Sequence, residues 1–131
     1  MKPERCISSS QARDFLSEQL QKWPLAQENY HALQSARTQS YDMGEFAIRT
    51  QFNPARIVSS GAKIDPKSIQ QRKCFLCPAN LPAEQIRWPF GTDYRILCNP
   101  YPIFPEHFTI PAREHTDQLI VQRFGDLMEL S

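Results

Sequence analysis

A chain of 131 residues is long enough to bury one modest hydrophobic core and too short for two independent ones. Fifteen Lys and Arg against fourteen Asp and Glu leave a net charge of +1, which excludes the basic footprint of a nucleic-acid binder or of a protein held on an anionic membrane. Hydrophobic residues are 40% and charged residues 22%, the balance of an ordinary globular domain, and no apolar run has the length of a signal-peptide core or a membrane span, so a cytoplasmic protein is expected.

Ser8, Ser9 and Ser10 offer capping oxygens for a helix running to about Trp23, with Ala12, Phe15, Leu16, Leu20 and Trp23 recurring at helical spacing as one apolar stripe. Pro24 breaks it, and a second helix is expected to turn Leu25, Tyr30, Leu33 and Ala36 inward, leaving His31 exposed. Residues 1–40 thus read as a helical segment and 41–131 as the body of the domain. From Tyr41 the period changes: Phe46 and Ile48 alternate with polar neighbours, which predicts a strand through about Gln51. Asn53-Pro54 marks a turn, and Ile57-Val58 predicts the start of another short strand.

Residues 59–73 read as a polar loop with one helical turn after Pro66. Tyr94 to Cys98 predicts a buried strand and His107 to Ile110 its partner. The NPYPIFPE segment between them contains three prolines, which exclude regular helix and give a stiff, extended connection. Thr116 or Asp117 is expected to cap a last helix with Ile120, Phe124, Leu127 and Met128 facing inward. No stop signal follows, so the sequence is expected to be a piece of a longer protein. Trp88 and Phe90 read as packed residues.

Cys74-Phe75-Leu76-Cys77 is the sharpest local signal. Two thiolates separated by two residues can grip one tetrahedral ion from a tight turn, which Pro78 and Asn80 favour. A redox pair and two unconnected cysteines compete with that reading, although a redox pair should cap a helix and Pro78 makes this awkward. Zinc is the default ion for mixed sulfur and nitrogen donors. His115, between a predicted strand and the last helix, can project toward the knuckle and is the third candidate ligand. His107 is read as structural, hydrogen-bonding the backbone of the proline-rich turn. Water or a residue beyond Ser131 is left to supply the fourth position. Cys6 and Cys98 read as free thiols, Cys98 buried.

Asn99, Pro102 to Pro105, His107, Ile110-Pro111 and His115 together resemble the strand pair of the histidine-triad superfamily. Upstream, FNPARIVSSGAKID followed by CFLCPAN is similar to the galactose-1-phosphate uridylyltransferase branch and the related diadenosine tetraphosphate phosphorylases. A closer resemblance is to an uncharacterised bacterial family of this superfamily, known as a domain of unknown function. The resemblance covers residues 53 to 120 and implies an α+β fold: an antiparallel sheet with flanking helices, half of a histidine-triad-like fold with a zinc knuckle. It implies that Cys74, Cys77 and His115 ligate zinc, with a fourth ligand, a histidine, outside this sequence. It also implies that Asn99 approaches a nucleotide ribose and Lys63 the phosphates, with Ile103 and Phe104 near the base unless they are core.

Such enzymes attack the α-phosphate with the central histidine of a His-x-His motif. No His-x-His occurs here, so this chain is expected to lack the transfer chemistry even if its parent acts on nucleoside diphosphate sugars or dinucleoside polyphosphates. The alternatives are a zinc-stiffened binding or assembly module and, more weakly, a thiol redox protein. By analogy with the superfamily, a homodimer is a further expectation.

Overall fold

The structure, a computed structural model, describes residues 7–130, with side chains through Glu129. Cys6 lies outside the described residues. Helix α1 (Ser9–Lys22) begins in a capping box: the Ser8 hydroxyl accepts from the Gln11 amide at 3.2 Å, and the Gln11 side chain accepts from the Ser8 amide at 2.9 Å. Its stripe is the expected one, with Phe15, Leu16 and Trp23 buried and Leu20 packed beside them, and Gln19 is buried in the same row. Helix α2 (Pro24–Leu33) opens on Pro24, at a position where the missing N–H costs nothing. It buries Ala26, Asn29 and Tyr30, whereas Leu25, expected inside, is 41% exposed. The helix is rotated because Asn29 is needed inside, where its amide donates to the Pro100 carbonyl at 2.8 Å. His31 is exposed, as expected.

The single strand expected to end near Gln51 is instead a hairpin of β1 (Arg37–Asp42) and β2 (Ala47–Phe52), with Tyr41 opposite Ile48 and Arg37 opposite Phe52. Gly44 takes φ +90° in its turn, and the Asp42 carboxylate accepts from the Gly44 amide at 2.9 Å. Every residue of both strands is exposed. Ile57 and Val58 form a short helix, α3 (Ile57–Ser60), rather than a strand. The Asn53 side chain accepts from the Ala55 amide and starts a 3₁₀ turn over Pro54–Arg56, so the chain is already winding when it reaches Ile57. Helix α4 (Pro66–Gln71) follows Asp65, whose carboxylate caps the Ser68 amide at 2.9 Å.

Strands β3 (Trp88–Phe90), β4 (Tyr94–Cys98) and β5 (Phe108–Thr109) form an antiparallel sheet in the order β3-β4-β5. The central β4 is buried at all five positions, as a strand covered on both faces must be. Tyr94, Ile96 and Cys98 alternate onto the face that meets the helices: Phe15 packs with Phe90, Tyr94 and Ile96, and Leu16, Trp23, Ala26 and Tyr30 pack with Cys98. Arg95 and Leu97 occupy the opposite face. The fold is α+β, and the N-terminal helices share their core with the sheet.

Proline-rich segments cannot satisfy their own backbone, so side chains of α1 and α2, and Gln85 from the loop before β3, supply partners for the backbone around them. Gln19 donates to the Glu84 carbonyl and accepts from the Ile86 amide, both at 2.8 Å, Tyr30 donates to the His107 carbonyl at 2.9 Å, and Gln85 donates to the Cys98 carbonyl at 3.2 Å. His107 behaves as expected: its Nδ1 accepts from the Ile103 amide at 3.2 Å across the turn.

A 3₁₀ turn (Ile120–Arg123) leads into α5 (Phe124–Leu130). The expected inward face is wrong: Ile120 is 65% exposed, Phe124 58%, Leu127 48% and Met128 59%. Neither Thr116 nor Asp117 caps the helix, which starts later and is held by polar contacts instead. The Tyr94 hydroxyl donates to Asp126 and accepts from Arg123 at 3.2 Å. No helix among the described residues is long and apolar enough to cross a membrane.

Candidate metal centre

The cysteine pair sits in a tight turn made by its own backbone and by Asn80. The Cys77 amide donates to the Cys74 carbonyl at 3.3 Å, and the Asn80 amide donates to the Cys77 carbonyl at 2.9 Å. The Asn80 side chain donates to the Cys74 carbonyl at 2.8 Å, closing the loop from the outside. Pro78 then opens a 3₁₀ turn (Pro78–Asn80), and the two sulfurs lie within 4.8 Å of one another.

His115 arrives from a separate part of the chain. After β5, residues 111–113 run beside β4: the Arg95 amide donates to the Pro111 carbonyl at 3.1 Å, Tyr94 bridges to Ala112, and the Arg113 amide donates to the Asp93 carbonyl at 2.7 Å. That strip delivers His115 to the knuckle, with His115 Nδ1 at 3.2 Å from Cys77 Sγ. The three donor atoms of Cys74, Cys77 and His115 all lie within 4.8 Å of one another, a group that could hold a metal ion. Donors on one tetrahedral zinc stand roughly 3.5–3.8 Å apart, given Zn–S near 2.3 Å and Zn–N near 2.0 Å, so small side-chain adjustments close them around an ion.

The two thiols differ electrostatically. Burial opposes ionisation of Cys74, but hydrogen bonds from the Leu76 amide, Cys77 and His115 outweigh it and hold its pKa below the ordinary thiol value. Cys77 moves the other way, raised by its hydrogen bond to Cys74, then by burial and by the charge on Cys74, with Arg95 opposing. Negative charge therefore settles first on Cys74, and an incoming cation is what favours the second thiolate.

An open cavity of about 460 Å³ adjoins the three donors, walled by β4, residues 109–120 and the start of α5. Arg95 lines it and is 7% exposed; one of its terminal nitrogens donates to the Leu76 carbonyl at 3.2 Å and the Ala112 carbonyl at 3.0 Å. Sequence reasoning missed this residue because it sat inside a run read as a plain buried strand. The available signal was a charged side chain in the middle of that run.

Asn99 and Lys63 do not line the cavity. Asn99 closes the proline-rich turn: its side-chain oxygen accepts from the Tyr101 amide at 2.9 Å, and its amide nitrogen donates to the Thr109 hydroxyl at 3.3 Å. One N–H and one lone pair of the amide remain uncommitted. Lys63 is exposed in the loop before α4, where its carbonyl accepts from Arg72. Phe104 is 58% exposed and stands edge-on to His107, so it is not core, whereas Ile103 is half-buried.

The fold and the site thus define an α+β protein with a two-cysteine, one-histidine cluster able to hold a metal ion. A family model described as a domain of unknown function, DUF4922, matches residues 15–131, and the chain belongs to that family. No curated protein and no solved structure matches it.

Proposed function

We propose that the chain holds one zinc ion on Cys74, Cys77 and His115, as the metal-bearing portion of a cytoplasmic histidine-triad-type nucleotidyltransferase or phosphorylase. The observation that carries the zinc reading is the meeting of His115 with a cysteine pair 38 residues away, in a donor set of sulfur and imidazole nitrogen. When bound, the ion ties the knuckle to the strip leaving β5 and contributes directly to folding free energy. The parent activity, on nucleoside diphosphate sugars or dinucleoside polyphosphates, rests on the motif resemblance. In it Asn99 offers its remaining amide groups to ribose hydroxyls and Lys63 its charge to phosphates. No His-x-His occurs in this sequence, so none of its three histidines is assigned the nucleophile's role.

Cys74→Ser and His115→Ala are expected to drop bound zinc from one ion per chain to a small fraction, measured by elemental analysis after gel filtration, and to lower the unfolding temperature. Unchanged metal content in both variants contradicts the site. The nucleotide reading is tested by titrating UDP, GDP and ADP into the zinc-loaded chain. Weak binding is expected, reduced about tenfold by Lys63→Ala through loss of a charge-assisted contact.

The exposed apolar side chains of the β1–β2 hairpin and α5 favour a second reading, a zinc-stiffened binding or assembly module. Absence of any nucleotide binding, with zinc retained, selects it.

A further inference from the structure

Arg95 is a buried guanidinium for which no ion pair is formed among the described residues. Such a charge is costly to hold away from water unless its environment supplies compensating groups. Among the described residues it pairs with no acid, and its Nε, fully buried, has no hydrogen-bond partner. Its two bonds go to two particular carbonyls. Leu76 lies between the paired cysteines, and Ala112 lies three residues before His115, in the strip that runs beside β4. A single terminal nitrogen therefore joins the turn that carries both sulfurs to the segment that carries the imidazole. Its position on β4, on the face opposite the helical core, makes that junction rigid, because β4 is the most completely buried strand.

We infer that Arg95 is a positioning residue of the metal centre, fixing the cysteine knuckle and the His115 strip in one metal-competent geometry. The inference rests on the zinc reading above. Hydrogen bonds one layer behind metal ligands set ligand orientation, and removing them weakens metal binding by about 10–100-fold. Lysine is not an equivalent here: its ammonium has enough N–H groups for two carbonyls, but its shorter stem ends before the position of the guanidinium's terminal nitrogen and lacks that group's fixed planar orientation.

The test compares wild type, Arg95→Lys and Arg95→Met, using the full chain in competition with a chromophoric zinc chelator. Arg95→Met is expected to weaken zinc binding about 10–100-fold, with Arg95→Lys in between because it keeps the charge and loses the reach of the terminal nitrogen. In the cobalt-loaded protein, the thiolate-to-cobalt absorption of Arg95→Lys is expected to shift in position and intensity, a change that loss of general stability does not produce. Wild-type affinity and spectrum in a folded Arg95→Lys overturn the inference, and that variant decides the matter if Arg95→Met does not fold. A wild-type chain that takes up neither zinc nor cobalt overturns the metal reading and this inference together. Tight metal binding in wild type and variants alike removes only the role of Arg95.

Discussion

Gln19 ties the loop before β3 to α1 at two backbone groups. It is fully buried, and its amide bridges the Glu84 carbonyl and the Ile86 amide. Gln19→Leu keeps the volume and leaves two part-buried backbone groups without that partner. A loss of about 1–3 kcal/mol for each is expected in urea unfolding, and a variant of wild-type stability contradicts this account of the loop. His107 gives a pH-dependent counterpart. Burial, and then the nearby Arg56 charge, lower its pKa from the ordinary 6.5. The folded state therefore resists protonation while the unfolded chain accepts it. This contribution is fully present above about pH 6.5 and is lost as pH falls from there toward the lowered folded value. His107→Gln is expected to flatten that part of the stability profile, and an unchanged slope below pH 6.5 contradicts the assignment. Residues of this kind are hard to read from sequence. A polar side chain in an apolar stripe looks like a flaw in the pattern until the loop that needs it is in view, which holds for Gln19, Asn29 and Arg95 alike.

At the scale of elements, strong local signals translate directly into structure. Ser8 and the apolar spacing of Phe15, Leu16 and Trp23 specify α1, and the apolar run of β4, interrupted only by Arg95, specifies a strand covered on both sides. Weak signals fail for a physical reason. RTQSYD carries no apolar alternation, because neither face of β1 is buried, so nothing in its composition separates it from a loop. Ile57 and Val58 favour a strand by type, but the turn started by Asn53 and Pro54 overrides that preference. The last helix has apolar residues at helical spacing and no surface of the described chain to receive them; Tyr94, Asp126 and Arg123 anchor it instead. Tyr94→Phe removes that anchor while keeping the ring in the core. Amide exchange over residues 119–130 is expected to rise by roughly tenfold, the equivalent of about 1.4 kcal/mol, with α1 unchanged. Equal protection in the variant contradicts the anchor.

For the whole molecule, two features stand apart: a covered core around β4 and an uncovered set of apolar side chains. Phe46 is 63% exposed, Phe52 56%, Tyr41 45% and Ile48 44%. Tyr41 and Ile48 are opposite one another, so they share a face of the hairpin. The native protein is expected to enhance the fluorescence of an apolar dye such as ANS, and Phe46→Ser with Phe52→Ser to reduce that signal without unfolding the chain. A dye-silent native state contradicts a free apolar surface. The candidate metal centre was largely legible in the sequence because its parts are chemically distinctive: two cysteines at knuckle spacing and a histidine just past a strand. Its support was not legible, because Arg95 acts through carbonyls that any residue could supply. If Cys74, Cys77 and His115 close on one zinc ion, X-ray absorption of the zinc-loaded chain shows two sulfurs near 2.3 Å and at least one imidazole nitrogen near 2.0 Å, with the nitrogen signal reduced in His115→Ala. A shell of oxygen donors alone, or a zinc spectrum unchanged by His115→Ala, would contradict that site.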